Sequence, residues 1–258
     1  MTQPAAHYEP SRSLPAKLGR RFVQWRHAAP ATVETDRPIV SFTFDDFPKS
    51  ATTGADIIEK LGGRAGFYAS TCYMGATHPE MGEMFDAQTL TNLHSRGHEI
   101  GAHTHGHIDC ARAGVKTVER DIGQNLVQLV SAGHIPTVAA FAYPYGETSF
   151  ASKRWSSDVF STARGVLPGV NVGEVDRAQL RAVELGESEW ARKRAIAMLE
   201  KAVASNGWLI FFSHDVGAEP SAYGVTEAQL RELAQRAVGM GCVLAPPTEA
   251  GYMTKVLN

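Results

Sequence analysis

Two short stretches of this chain concentrate side chains that could carry chemistry. The first is Val40-Ser41-Phe42-Thr43-Phe44, an apolar run that ends in two adjacent carboxylates, Asp45 and Asp46, followed by Phe47 and Pro48. Carboxylates at the end of a buried strand are costly without ionic or metal partners, and side by side they repel, so a cation is the simplest remedy. The second is His98-Glu99-Ile100-Gly101-Ala102-His103-Thr104-His105-Gly106-His107, which holds four of the ten histidines. His103 and His107 stand four positions apart, so one turn of chain brings both imidazoles within reach of one ion, the logic of paired-histidine zinc motifs. With one carboxylate of the aspartate pair they would form a two-histidine, one-carboxylate set with coordination positions left for water and substrate, a catalytic and not a closed structural arrangement. His105, between them, is expected to point away from that ion.

Two further segments end in polar groups. Val138 to Tyr143 runs into Pro144-Tyr145-Gly146-Glu147, a turn able to hold a backbone N–H toward a ligand. Trp208 to Phe212 ends in Ser213-His214-Asp215, where His214 is either a satisfied core histidine or a general acid/base.

These groups need strands to deliver them. The apolar pattern from residue 39 onward falls into short, nearly continuous runs, as expected of strands covered on both faces: Ile39–Phe44, Ala65–Ala69, Glu99–Ala102, Val138–Tyr143, Trp208–Phe212 and a last one at Cys242–Ala245. Helical patterns lie between them at Ala55–Leu61, Ala87–Arg96, Val118–Val130, Glu189–Ala204 and from Thr226 to about Val238. Thr117, Ser188 and Thr226 are the N-cap candidates, and Gly97 and Gly133 fall near helix ends. Alternating strand and helix implies βα units around a parallel sheet or barrel in one domain, residues 39–258. Residues 1–38, broken by prolines, read as an N-terminal arm. Its segment Pro15–His27 carries Leu14, Leu18, Phe22 and Trp25 at helical spacing beside Lys17, Arg20, Arg21 and Arg26, and is expected to dock on the barrel through Phe22 and Trp25 in preference to lying on a membrane.

Composition closes off other classes. The 25 Lys and Arg balance 27 Asp and Glu to a net charge of -2, which leaves no global field for nucleic acid. The longest apolar runs are of strand length, far short of the roughly 20 residues of a membrane span. Met1 to Pro10 has polar residues and prolines where a secretory signal would place a basic patch and an apolar core, so a cytoplasmic location is expected. Cys72, Cys110 and Cys242 form no Cys-x-x-Cys pair and are expected to be reduced thiols.

Taken together, the segments resemble the polysaccharide deacetylases of the NodB-homology type, carbohydrate esterase family four. Thr43-Phe44-Asp45-Asp46 is similar to the first motif of that family, His103-Thr104-His105-Gly106-His107 to its H-[ST]-x-x-H motif, Pro144-Tyr145 to the end of its Arg-x-Pro-Tyr motif, and Leu209 to Asp215 to the late strand that presents a histidine. The resemblance spans residues 39–245. It implies an α/β fold, a distorted (β/α) barrel of about seven strands, and one divalent metal ion, commonly zinc, held by Asp46, His103 and His107. It implies further that Asp45 is the general base, that the Tyr145 backbone N–H binds the oxyanion and that His214 protonates the departing amine. The implied substrate is an acetylated carbohydrate, N-acetylated in preference to O-acetylated. Another C–N amide, such as a small ureide or cyclic amide, and a non-catalytic carbohydrate-binding role are the alternatives. The resemblance leaves the oligomeric state open.

Two departures stand out. The arginine of the third motif falls on Ala142, and the aspartate and aromatic pair of the fourth has no clear counterpart, Asp176 and Trp155 being the candidates. Arg164, at the end of a further strand near Phe160–Gly165, is a candidate to supply the missing guanidinium to Asp45, and a surface position for it is the alternative that sequence alone leaves open. The loops Thr71–Asp86 and Pro168–Leu185 are expected to shape the substrate groove.

Overall fold

The computed structural model describes residue 19 and residues 22–257. The strands of the core are β1 (Pro30–Val33), β2 (Ile39–Phe44), β3 (Gly66–Ala69), β4 (Glu99–Ala102), β5 (Ala140–Ala142), β6 (Thr162–Arg164), β7 (Gly173–Asp176), β8 (Val183–Glu184), β9 (Trp208–Ser213) and β10 (Val243–Leu244). The helices are α1 (Thr52–Glu59), α2 (Ala87–Ser95), α3 (Val115–Gly133), α4 (Phe150–Val159), α5 (Glu189–Ala204), α6 (Glu227–Gly239) and α7 (Pro247–Met253).

Seven strands pair in the order β8-β9-β2-β3-β4-β5-β6, every neighbour parallel, and β10 adds alongside the start of β2. Strand β2 therefore has different partners along its length: Ile39 and Val40 face β10, whereas Thr43 and Phe44 face β3. All six residues of β2 and of β9 are buried, which explains their unbroken apolar character. The stretch 177–185 spans the two sheet edges. Leu180 exchanges backbone hydrogen bonds with Ala163 and Gly165 beside β6, and Val183 is in register with Phe211 of β9. The result is the distorted α/β barrel that the sequence implied.

A parallel sheet sends every strand's C-terminal end to the same rim. Asp45 and Asp46 follow β2, His103 follows β4, Tyr145 follows β5, Arg164 ends β6 and His214 follows β9, so all of them reach that rim.

Some expectations need correction. Helix α3 starts at Val115 behind Gly114, with no side-chain cap, so Thr117 lies inside the helix. Ser188 and Thr226 do cap α5 and α6, Thr226 in a reciprocal capping box with Gln229. Phe22 and Trp25 are 54% and 79% exposed and do not dock the arm. Its attachment is polar instead: Asp176 accepts the Ala28 and Ala29 N–H groups at 3.0 Å, Lys153 Nζ donates to the Val23 carbonyl at 2.7 Å, and β1 pairs antiparallel with β7. Leu14, Lys17, Leu18, Arg20 and Arg21 lie outside the described residues. Among the described residues no helix is long and apolar enough to cross a membrane.

Candidate active site

The turn after β2 is tight because Asp46 and Phe47 both adopt left-handed backbone angles, with φ of 57° and 63°. Non-glycine residues in that region are uncommon and carry strain that the surroundings must hold. Thr104, His107 and Tyr145 share the conformation at φ of 60°, 49° and 59°, so most of the left-handed non-glycine residues among the described residues sit on this one rim. The packing that holds them is visible. The Phe47 ring stacks on Phe85 at 5.1 Å, Asp121 Oδ1 accepts the N–H groups of His105 and Gly106, and Thr104 Oγ1 accepts the Ile108 N–H. At Tyr145-Gly146 the chain turns in two successive left-handed residues, and a Cβ at Gly146 would stand 2.2 Å from Val166.

Asp46, His103 and His107 are brought together: one potential ligand atom from each lies within 4.8 Å of the others. Asp46 Oδ1 stands 3.1 Å from His107 Nε2 and 3.6 Å from His103 Nε2, yet it is buried and accepts no hydrogen bond of proper geometry. An orphaned buried carboxylate oxygen facing two imidazole nitrogens suits a divalent cation. His103 Nδ1 lies 2.8 Å from the Ala142 carbonyl, which can only accept, so Nδ1 carries the proton and the Nε2 lone pair is free to face Asp46. Burial, helped by neighbouring His107, holds the His103 pKa down to about 3, so the ring is the neutral ligand form. Burial opposes the charge of Asp46, but His107, His214 and His103 outweigh it and keep that carboxyl below its usual range. His107 Nδ1 and the Tyr145 hydroxyl are 3.1 Å apart.

Asp45 points elsewhere. Its Oδ1 accepts a hydrogen bond from Arg164 Nη2, and both side chains are buried. The Arg164 guanidinium lies between two rings, 4.8 Å from that of Tyr68 and 5.0 Å from that of Phe212. Tyr68 reaches this position by crossing Gly101, where a Cβ would meet its ring at 2.4 Å. Arg164 thus occupies the place expected of the arginine missing at Ala142, and the surface alternative is overturned.

His214 closes the opposite side, its Nε2 3.8 Å from Asp46 Oδ2. The Tyr223 carbonyl accepts from both the His214 backbone N–H at 3.2 Å and its Nδ1 at 3.3 Å, so Nε2 faces the site. Asp176 is bound to Lys153 at 2.7 Å and Trp155 packs on the barrel's core, so neither supports His214. A backbone acceptor leaves no side-chain signature, which is why Tyr223 could not be picked from sequence. Asn125, buried on α3, was also missed: it accepts the His103 N–H and donates to the Ala69 carbonyl, tying β3 to the histidine loop. His105 turns away as expected, to Thr71 Oγ1 at 2.9 Å.

These groups open into a cleft of about 730 Å³, walled also by Tyr73, His78 and Met81 on one side and by Pro168, Glu184 and Arg194 on the other. The two loops expected to shape the groove therefore both reach it. A distorted barrel thus carries at its strand ends a two-histidine, one-carboxylate set that could hold a metal ion, flanked by a second, arginine-paired carboxylate and a further histidine.

Comparison with known proteins specifies the class. The polysaccharide deacetylase family model matches residues 32–159. The peptidoglycan-N-acetylmuramic acid deacetylase PdaC of Bacillus subtilis is 29% identical over 119 residues, which are 45% of this chain and 23% of that protein, so the chain corresponds to about a quarter of the relative's length. Among solved structures, Bacillus subtilis PdaA, a family 4 carbohydrate esterase, superposes with a TM-score of 0.58 at 11% identity, covering 95% of this chain and 92% of that one. A family 4 acetyl xylan esterase from Clostridium thermocellum, solved with a cobalt ion, gives 0.57 at 20% identity over 83% and 91%. A family 4 pseudoenzyme from Bacillus anthracis gives 0.56 at 11% over 84% and 66%. The family model, the curated relative and the solved structures all support a polysaccharide deacetylase.

Proposed function

We propose that the protein is a metal-dependent deacetylase that hydrolyses the N-acetyl group of a sugar or oligosaccharide. The observation that carries this reading is the pairing of two differently committed aspartates on one rim: Asp46 toward His103 and His107, Asp45 toward Arg164, with His214 across from both. Asp46, His103 and His107 would hold the ion. A divalent cation bound there supplies Lewis acidity that activates water and polarises the acetyl carbonyl. Asp45, held and aimed by its hydrogen bond from Arg164, accepts the proton of the attacking water. The backbone N–H of Tyr145, fixed by its left-handed turn, donates to the oxygen that becomes negative as the carbonyl carbon turns tetrahedral. His214, oriented through the Tyr223 carbonyl, gives its Nε2 proton to the departing amine as the C–N bond breaks.

The relative named for deacetylating N-acetylmuramic acid supports an N-acetylated substrate, and the esterase named for acetyl xylan keeps the O-acetyl class in the test. Two features favour the non-catalytic alternative, the arginine absent at Ala142 and the unmatched fourth motif; Arg164 beside Asp45 answers the first, and the Tyr223 carbonyl orients His214 where the second has no counterpart. The test is metal analysis of the purified protein followed by acetate release from N- and O-acetylated sugars and from small ring amides. The expected result is one divalent ion per chain and acetate from N-acetyl sugars. Turnover of ring amides alone, or no turnover when loaded with zinc, cobalt, nickel or manganese, would refute the reading.

A further inference from the structure

One feature of the cleft is unused by the chemistry above. Arg194, on the second turn of α5, is the sole Lys or Arg lining the cavity among the described residues. Its Nη2 donates to the Glu184 carbonyl at 3.1 Å, while its Nε is buried without an acceptor among the described residues. The guanidinium packs over the Trp190 ring at 4.4 Å, which restricts the side chain to this wall. The Glu184 carboxylate is 3.9 Å away, outside hydrogen-bond distance, and 47% exposed, so it is free to turn to solvent. Glu184 is in register with Phe212, two residues before His214 on the adjacent strand. This corner and His214 therefore stand at the ends of adjacent strands and line the same cleft.

The Arg194 side chain is 18% exposed, open to the cleft, and its Nε, buried without an acceptor, makes an arriving acceptor favourable; its planar fork suits a carboxylate best. The two aspartates of the site do not compete for it, since Asp45 is paired with Arg164 and Asp46 faces the histidines. We infer that Arg194 is a specificity residue that binds a carboxylate carried by the acetylated sugar, so that the preferred substrate is an acidic N-acetyl sugar. This deepens the deacetylase reading and rests on it. Two sources of the carboxylate fit the same fork, an acid on an ether side chain or one on a sugar ring.

The experiment measures kcat and KM for acetate release by the metal-loaded full chain on three kinds of N-acetyl sugar: one with an ether-linked carboxylate, one with a ring carboxylate, and the methyl ester of each. For one of the two acids KM should be at least roughly tenfold below that of its own ester, as a charge-assisted pair with Arg provides. In Arg194→Gln that acid-to-ester ratio should fall to about one, and Arg194→Lys should restore part of it. Glu184→Gln, which removes the competing negative charge, should widen the ratio, and this arm stands even if Arg194→Gln does not fold. Equal KM for acid and ester in the parent protein, or a ratio unchanged in Arg194→Gln, would overturn the assignment while leaving the deacetylase reading in place. Acetate from none of these sugars or their neutral counterparts would end both.

Discussion

Asp45 and Asp46 are neighbours in the chain, yet their partners give them separate work. A left-handed residue at 46 turns the second carboxylate away from the first, so one meets imidazoles and the other a guanidinium. Replacing Asp45 by Asn keeps the size and loses the proton acceptor. Turnover should drop by about 10² to 10⁴ fold, the usual worth of a general base, while one equivalent of metal is retained on analysis. Arg164 is testable through stability as well as rate. It is 1% exposed, so Arg164→Met leaves the Asp45 charge buried and unpaired, at a cost of about 3 to 5 kcal/mol in a urea melt. Arg164→Lys should recover only part of this, because a point charge does not reproduce a planar fork held between two rings.

At the scale of elements, the strands that deliver the site were legible because burial on both faces forces unbroken apolar runs. Ile39–Phe44 and Glu99–Ala102 are found where the pattern put them. Helix α4 was not seen: Phe150-Ala-Ser-Lys-Arg-Trp-Ser-Ser-Asp-Val159 buries serines and a lysine in place of an apolar stripe, and only the Ser149 cap signals it. Strands β1, β7 and β8 have two to four residues each and take their stability from tertiary pairing, so no period betrays them. The start of β4 supplies a pH prediction. His98, buried behind that strand, accepts the Ala65 N–H and has its pKa brought down from 6.5 to about 4, chiefly by burial. Between those values the unfolded chain binds a proton that the folded chain refuses. The His98 contribution is therefore complete above pH 6.5 and is lost as pH falls toward 4, at up to about 1.4 kcal/mol per unit. His98→Asn keeps an acceptor for Ala65 without titrating, and its stability measured from pH 7 to 4 should fall by about 2 to 3 kcal/mol less than that of the parent. Parallel slopes would exclude His98 as the source.

For the whole molecule, what sequence could not supply was closure. Strand order and the bridging stretch 177–185 depend on pairings between residues far apart, and the replacement of an arginine on β5 by one on β6 is visible only once those strands lie side by side, with Ala142 in register with Arg164. Closure also means that the proposed metal site draws its ligands from the ends of β2 and β4, separated by more than 50 residues of chain, and does not exist in the unfolded state. Metal binding and folding must then be linked: an ion at a hundredfold excess over its Kd adds about 2.7 kcal/mol, and for a chain of this size each kcal/mol raises Tm by roughly 2 to 4 °C. Zinc or cobalt added to the chelator-treated protein should accordingly raise Tm by about 5 to 10 °C. The same addition should leave His103→Ala and His107→Ala unmoved, because each lacks one of three ligands, whereas Asp45→Asn should respond as the parent does. A full shift in either histidine variant would mean that the ion stabilises the barrel from some other position, and the pairing of Asp46 with these imidazoles would then need a different explanation.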